Sequence, residues 1–189
     1  MPKLICITGK AGSGKDTMAD RLWENHGFVK IALADPLRLA ASAAFGVGAN
    51  FFFDREKKEE VMEYWGMSPR TMLQKLGTEA VKGTFGEDVW LKRWYLSFAA
   101  LKDTDHIVVP DVRFELEADF FRRIGGTVVH LSRPGAGLAG AAGSHSSEQG
   151  VAVCVGDIEV TNVGTLQHLF ETTDTVVDMV EDRENRIKD

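Results

Sequence analysis

"ITGKAGSGKDTMAD", Ile7 to Asp20, decides the fold of this chain. Gly9, Gly14 and Lys15 stand in the register G-x-x-x-x-G-K of a phosphate-binding loop. The apolar run "LICIT" (Leu4 to Thr8) precedes it, and Met18, Ala19, Leu22 and Trp23 follow at helical spacing until Gly27 supplies a stop. In a strand, turn and helix of this order, Gly9, Gly12 and Gly14 let the backbone curl so that several N–H groups face one anion. The helix N-terminus adds its positive end. Lys15 reaches the terminal phosphates. Where the common motif has a magnesium-binding Ser or Thr, this chain has Asp16, and the hydroxyl stands one place later at Thr17. Asp16 fits three readings: a direct magnesium ligand, a ligand through water, or an acidic residue favoured by the helix dipole.

The chain has 189 residues and is 44% hydrophobic, which suits one well-buried domain and is short for two large ones. A formal charge of -6 argues against a surface that neutralises a nucleic-acid backbone, so no nucleic-acid partner is expected. Phosphate chemistry must then use a few placed cations. The two cysteines, Cys6 and Cys154, suit a reducing compartment and are both expected as core thiols. Neither a signal-type segment nor a membrane-length apolar run is present, so a cytoplasmic protein without a membrane partner is expected. The five His are scattered and no Cys/His ligand spacing occurs, so no protein-bound metal is expected, and any magnesium should arrive with the bound phosphates.

Short apolar runs alternate with helical patterns along the whole length, the mark of an α/β fold. "LICIT", "FVKIAL" (Phe28 to Leu33), "HIVVP" (His106 to Pro110), "TVVHLS" (Thr127 to Ser132) and "DIEVT" (Asp157 to Thr161) predict five parallel strands buried on both faces. Asp35-Pro36 reads as N-cap and first residue of a helix closed by Gly46, and "DREKKEEVMEYW" as a solvated helix face. Ser68-Pro69 opens a further helix with Met72, Leu73, Leu76, Ala80 and Val81 inward. Gly77 within it marks either a close backbone approach or a simple break. Asp88 caps the next helix, whose expected buried stripe is Leu91, Tyr95 and Phe98. The Gly/Ala/Ser-rich stretch Arg133 to Gly150 reads as a long lid loop. The last helix packs Leu166, Leu169, Phe170, Val177 and Val180 and then dissolves into "EDRENRIKD".

Two further stretches carry chemistry. In "HIVVPDVRFELE" a buried strand delivers Asp111 and Arg113 at its carboxyl end, where open α/β sheets place their ligands. Asp111 can orient magnesium or an attacking phosphate, and Arg113 can neutralise charge passing between two phosphates. In "VVHLSRPGAG" another strand runs into the lid with Arg133 at the junction. Gly135, Gly137 and Gly140 match the letters of a dinucleotide fingerprint, but no amphipathic helix follows, and a lid excluding water from phosphoryl transfer is the better reading. His145 and Glu148 either touch substrate or hold the loop.

"GKAGSGKDT", "ALADPLR", "LQKLGTEAV", "DVWLKRW", "IVVPDVRFELEADFFRRIGGTVVHLSRPG" and "IEVTNVGTLQHLF" occur in the order seen in phage deoxynucleoside monophosphate kinases, and the chain resembles a compact member of that family. The resemblance implies a P-loop NTPase-type three-layer sandwich with a mostly parallel five-stranded sheet. It would form a single kinase domain, with a helical acceptor-binding region over about 36–103 and a Gly-rich lid over about 133–150. It implies that Ala11, Gly12, Ser13, Gly14, Lys15, Asp16 and Thr17 hold the ATP phosphates and that Asn162 contacts the adenine. On the acceptor side it implies Arg38 facing the monophosphate, then Arg70, Gln74, Gly77, Thr78 and Trp90, with Asp111, Arg113, Glu117 and His145 completing the site.

The reading is therefore ATP- and Mg2+-dependent phosphorylation of deoxynucleoside 5'-monophosphates, with Lys15, Asp111, Arg113 and Arg133 as the catalytic set. Alternatives are a kinase of another small phosphorylated substrate, of adenylate, phosphomevalonate or dephospho-coenzyme A type, and a nucleotide-binding module without turnover. Base preference is not legible, and the oligomeric state is open, a homodimer included.

Overall fold

Leu4–Thr8 forms strand β1, and all five residues are buried, as an unalternating apolar run requires of a strand covered on both faces. The structure is a computed structural model that describes residues 3–54, 56–102, 105–138 and 140–188. Arg55 of the acidic run, Ala139 of the lid and the final residue of the tail lie outside the described residues.

In chain order β1 is followed by α1 (Lys15–His26), β2 (Val29–Lys30), α2 (Asp35–Phe45), α3 (Asn50–Phe53) and a 3-10 turn (Lys57–Glu59). Then come α4 (Pro69–Gln74), a π-helical stretch (Lys75–Lys82), α5 (Gly83–Phe85) and α6 (Val89–Phe98). The chain closes with β3 (Ile107–Val112), α7 (Glu115–Arg123), β4 (Thr127–Ser132), α8 (Gly140–Ser144), a 3-10 turn (Ser146–Glu148), β5 (Ile158–Thr161) and α9 (Leu166–Lys188). Two compact units result: Met1–Ala32 with Ser97–Asp189, and Leu33–Leu96.

The first unit holds a five-stranded sheet in the order β2-β3-β1-β4-β5, every pair parallel. Ile5 and Ile7 share one core with Met18 and Leu22 of α1 and Leu169, Val176, Val177 and Val180 of α9. The period of two sends Leu4 and Cys6 to the opposite face. Arg21 and His26 of α1 both bond Asp174 of α9, at 2.8 and 2.7 Å, which fixes the two helices together. Because β1 lies between β3 and β4, the segments leaving the carboxyl ends of these three strands converge at one sheet edge. Register between β1 and β3 slips after Cys6–Val109, so that Thr8 faces Val112. Pro110, with no N–H to donate, and Asp111 together stand opposite Ile7 in this bulge. The expected strand end at Pro110 thus moves two residues on, and Asp111 is a buried strand residue.

The second unit packs Ala41, Val47, Phe52 and Met72, with Phe45, Trp65, Leu73 and Leu76 around them. Ser68 caps α4, its Oγ accepting the Thr71 N–H at 3.3 Å, and Pro69 is the first helical residue. The expected inward stripe holds at Met72 but not at Ala80, which is exposed, while Gly77 and Lys82 are buried. The i→i+5 bonding of the π-helical stretch rotates the later side chains out of α-helical phase. Gly77 marks a close approach: a Cβ there would lie 2.3 Å from Leu37 Cδ2.

Other expectations are corrected by the structure. Strand β2 covers only Val29–Lys30 of the expected run. Asp35 is already helical, with Ala34 as N-cap. The acidic run makes a 3-10 turn and a Met62–Met67 bridge rather than a helix, since its like charges at i+3 and i+4 have no apolar stripe to bury. In α6 the buried residues are Leu91 and Trp94, while Tyr95 is half exposed. Trp23 and Leu166 are also exposed, and α9 continues as helix to Lys188. Cys6 is a core thiol, but Cys154 lies on the surface in the loop before β5.

Candidate active site

Gly9 has φ +144°, and a Cβ on it would meet the Leu131 carbonyl oxygen at 2.1 Å, so only glycine lets the turn start this close to β4. The loop then curls through Ala11–Gly14, with Ser13 N–H donating to the Lys10 carbonyl at 3.2 Å, and enters α1 at Lys15. Lys15 Nζ folds back onto the loop, donating to the Gly9 and Lys10 carbonyls at 2.6 and 2.8 Å. Burial, then the nearby Arg113 charge, lowers its pKa from 10.5 to about 8, against the opposing pull of Asp16, Glu148 and Asp111. Asp16 is exposed in the first turn of α1 and Thr17 is half-buried beside it.

From β3, Asp111 is buried and Arg113 leaves the strand end. Glu117 Oε2 accepts the N–H groups of Arg113 and Phe114 at 2.9 and 3.2 Å, so this buried carboxylate caps α7 and fixes the Arg113 backbone. The Arg113 guanidinium pairs with Glu148 and donates to the Ser147 carbonyl at 3.3 Å. From β4, Arg133 is exposed at the start of the lid.

The stretch expected as a long lid loop, Arg133 to Gly150, contains secondary structure. It holds α8 and the 3-10 turn, and it is tied to the phosphate-binding loop by a bond from Gly137 N–H to the Ala11 carbonyl at 2.9 Å. His145 Nδ1 accepts the Ser147 N–H at 3.2 Å, an internal bond of the lid. Lys10, Gly135–Leu138, Gly143, Glu148 and Gln149 line a cavity of about 430 Å³. Asn162, buried at the end of β5, donates from Nδ2 to the Ser13 carbonyl at 3.0 Å.

In the second unit, Arg38 bonds Asp35 at 2.6 Å and lies over the Phe53 ring at 5.2 Å, its buried Nε without a hydrogen-bond partner among the described residues. Arg70 grips Glu59 through Nε and Nη2 at 2.6 to 2.9 Å. Trp90 Nε1 donates to the Gly77 carbonyl at 3.0 Å, so these two are bonded to one another. Gln74 and Thr78 are half-buried at the start and middle of the same helical run.

Two lysines carry no mark in the sequence. Lys10 lines the cavity but occupies a variable place in the motif, so nothing in the letters marks it. Lys82 is buried with its Nζ 3.9 Å from Glu87, although a lysine near a helix end is ordinarily solvated. Among the described residues no cluster of His, Cys, Asp and Glu is disposed to hold a metal ion, and no helix is long and apolar enough to cross a membrane.

A parallel α/β sheet with a strand–glycine loop–helix phosphate cradle, and with a lysine and an arginine beside it, defines a P-loop phosphotransferase. The family model for deoxynucleotide monophosphate kinase matches residues 49–173, and the chain belongs to that family. The deoxynucleotide monophosphate kinase of Enterobacteria phage T4 is 28% identical, over 89% of this chain and 95% of that protein. A protein of Acanthamoeba polyphaga mimivirus named as a deoxynucleotide monophosphate kinase is 29% identical, over 93% and 96%. Among solved structures, TT1252 from Thermus thermophilus shares the fold, with a TM-score of 0.54 at 17% identity over 94% of this chain and 97% of that one. The protein is a kinase, with ATP as phosphoryl donor and a nucleotide as substrate.

Proposed function

We propose that the chain transfers the γ-phosphoryl group of ATP to a deoxynucleoside 5'-monophosphate, giving the diphosphate. The observation that carries this reading is the convergence of Lys15, Asp111 and Arg113 at one sheet edge, beside the phosphate-binding loop. Backbone N–H groups of the Ala11–Gly14 loop, apart from that of Ser13, which bonds the Lys10 carbonyl, cradle the donor phosphates, and Lys15 leaves the Gly9 and Lys10 carbonyls to meet them. Thr17 adds a hydroxyl. Asn162 serves the nucleotide by holding Ser13.

The acceptor is an ionised phosphate, so transfer needs no strong base; positioning and charge neutralisation do the catalysis. Arg113 and Arg133 stabilise charge on the group in flight, and Asp111 orients the reactants. Arg38, Arg70, Gln74, Thr78 and Trp90 of the second unit, with the backbone at Gly77, hold the monophosphate. Glu117 supports Arg113 from beneath, and His145 shapes the lid. Mg2+ suits the hard oxygen donors of Asp16 and Thr17 and, bound with ATP, neutralises phosphate charge.

A coupled ADP-release assay with the four deoxynucleoside monophosphates and their ribo counterparts tests the reading. ADP formation should depend on a deoxynucleoside monophosphate and vanish in Lys15→Ala with the fold intact. ATP binding with no acceptor-dependent ADP from any of them would overturn it.

A further inference from the structure

The lid stretch Pro134 to Gly150 contains no Lys or Arg, and its one carboxylate is Glu148. The segment tied to the phosphate-binding loop therefore contributes an anion rather than a cation. That anion is placed on a cation of the transfer machinery. Glu148 pairs with Arg113 Nη1, with the Glu148 side chain only 5% exposed. The same Nη1 donates to the Ser147 carbonyl at 3.3 Å, and Ser147 is held in turn by His145. The Arg113 backbone is fixed from the other side by Glu117 at 2.9 Å. Lys15 feels both members of the pair, repelled by Arg113 and attracted by Glu148, so the three charges share one neighbourhood. Glu148 also lines the cavity beside Lys10.

We propose that Glu148 is a positioning residue acting through Arg113: its carboxylate takes the guanidinium contact that a substrate phosphate would take, and is exchanged for phosphate oxygen on binding. The inference rests on the kinase reading above. Arg113 and Lys15 repel each other, and the Glu148 carboxylate offsets that repulsion while it holds the Arg113 guanidinium. A guanidinium donates to phosphate oxygen as it does to a carboxylate oxygen, so the Nη1 contact to Glu148 can pass to a phosphate. The arriving phosphate must nevertheless displace a like charge, which weakens apparent affinity.

Titration calorimetry with ATP on the whole chain, paired with steady-state kinetics, tests this. Glu148→Gln keeps the shape and removes the competing charge, so the Kd and KM for ATP should fall about three- to tenfold with kcat held within about twofold. Glu148→Asp, which keeps the charge, should stay near wild type. In an Arg113→Gln background the effect of Glu148→Gln on Kd should disappear. A residue that merely held the lid would instead raise KM and lower kcat when changed. Unchanged or weaker ATP binding by Glu148→Gln, or a full effect without Arg113, overturns the proposal and leaves the kinase reading standing. A wild type that binds no ATP overturns both.

Discussion

Asn162 Nδ2 donates to the Ser13 carbonyl across 3.0 Å, joining the end of β5 to the crest of the phosphate-binding loop. The bond is buried and spans two segments far apart in sequence, and it directs one peptide of the anion cradle. Asn162→Ala removes the side-chain donor to that carbonyl, and the loop loses a fixed point. ATP and inorganic tripolyphosphate should both bind about tenfold more weakly, the equivalent of one well-made buried hydrogen bond. Loss for ATP alone, with tripolyphosphate unaffected, would assign Asn162 to the adenine instead.

Lys15 gives a pH dependence whose sign follows from its environment. Its pKa is lowered from 10.5 to about 8, so the folded chain binds fewer protons than the unfolded chain between those values, and Lys15 contributes stability that rises with pH through that window. Bound phosphate favours the charged ammonium, so ATP binding takes up a proton there, and affinity falls as pH rises above about 8. Calorimetry in buffers of different ionisation enthalpy should show this uptake in wild type and not in Lys15→Met.

At Gly77 a new Cβ would stand 2.3 Å from Leu37 Cδ2. Gly77→Ala should destabilise the fold by about 1 kcal/mol net, since overpacking outweighs the gain in helix propensity. Leu37→Ala should relieve that clash, so a double-mutant cycle in urea should give a coupling of at least about 1 kcal/mol.

Arg21, through its hydrogen bonds, and then His26 hold the Asp174 carboxyl down to about 2, from 3.8. The stability that this gives is present above 3.8 and is lost as pH falls toward about 2. Asp174→Asn should be less stable than wild type at neutral pH and lose less further stability over that acid window, as followed by thermal melts.

Much of this protein follows from short-range letters. "LICITGKAGSGKDT" encodes strand, loop and helix because each element is decided within a few residues: apolar run, positive-φ glycines and helix-favouring residues. The same holds for Ser68-Pro69 as a helix start and for "TVVHLS", whose strand bounds coincide with the run. That Asp111 and Arg113 follow a buried apolar run was legible in the letters; that Asp111 lies inside the strand was not.

Tertiary structure decided the rest. The bulge at Pro110–Asp111 depends on pairing with β1, and the exposure of Ala80 depends on a π-helical phase that no local pattern marks. That Cys154 lies on the surface, that Asn162 grips Ser13 and that Glu148 sits on Arg113 are likewise facts of distant segments meeting. Local sequence sets conformation through sterics and periodicity over a few residues. Which charge meets which, and which face is covered, is set by contacts between residues tens to more than a hundred positions apart, and only the folded chain brings those together.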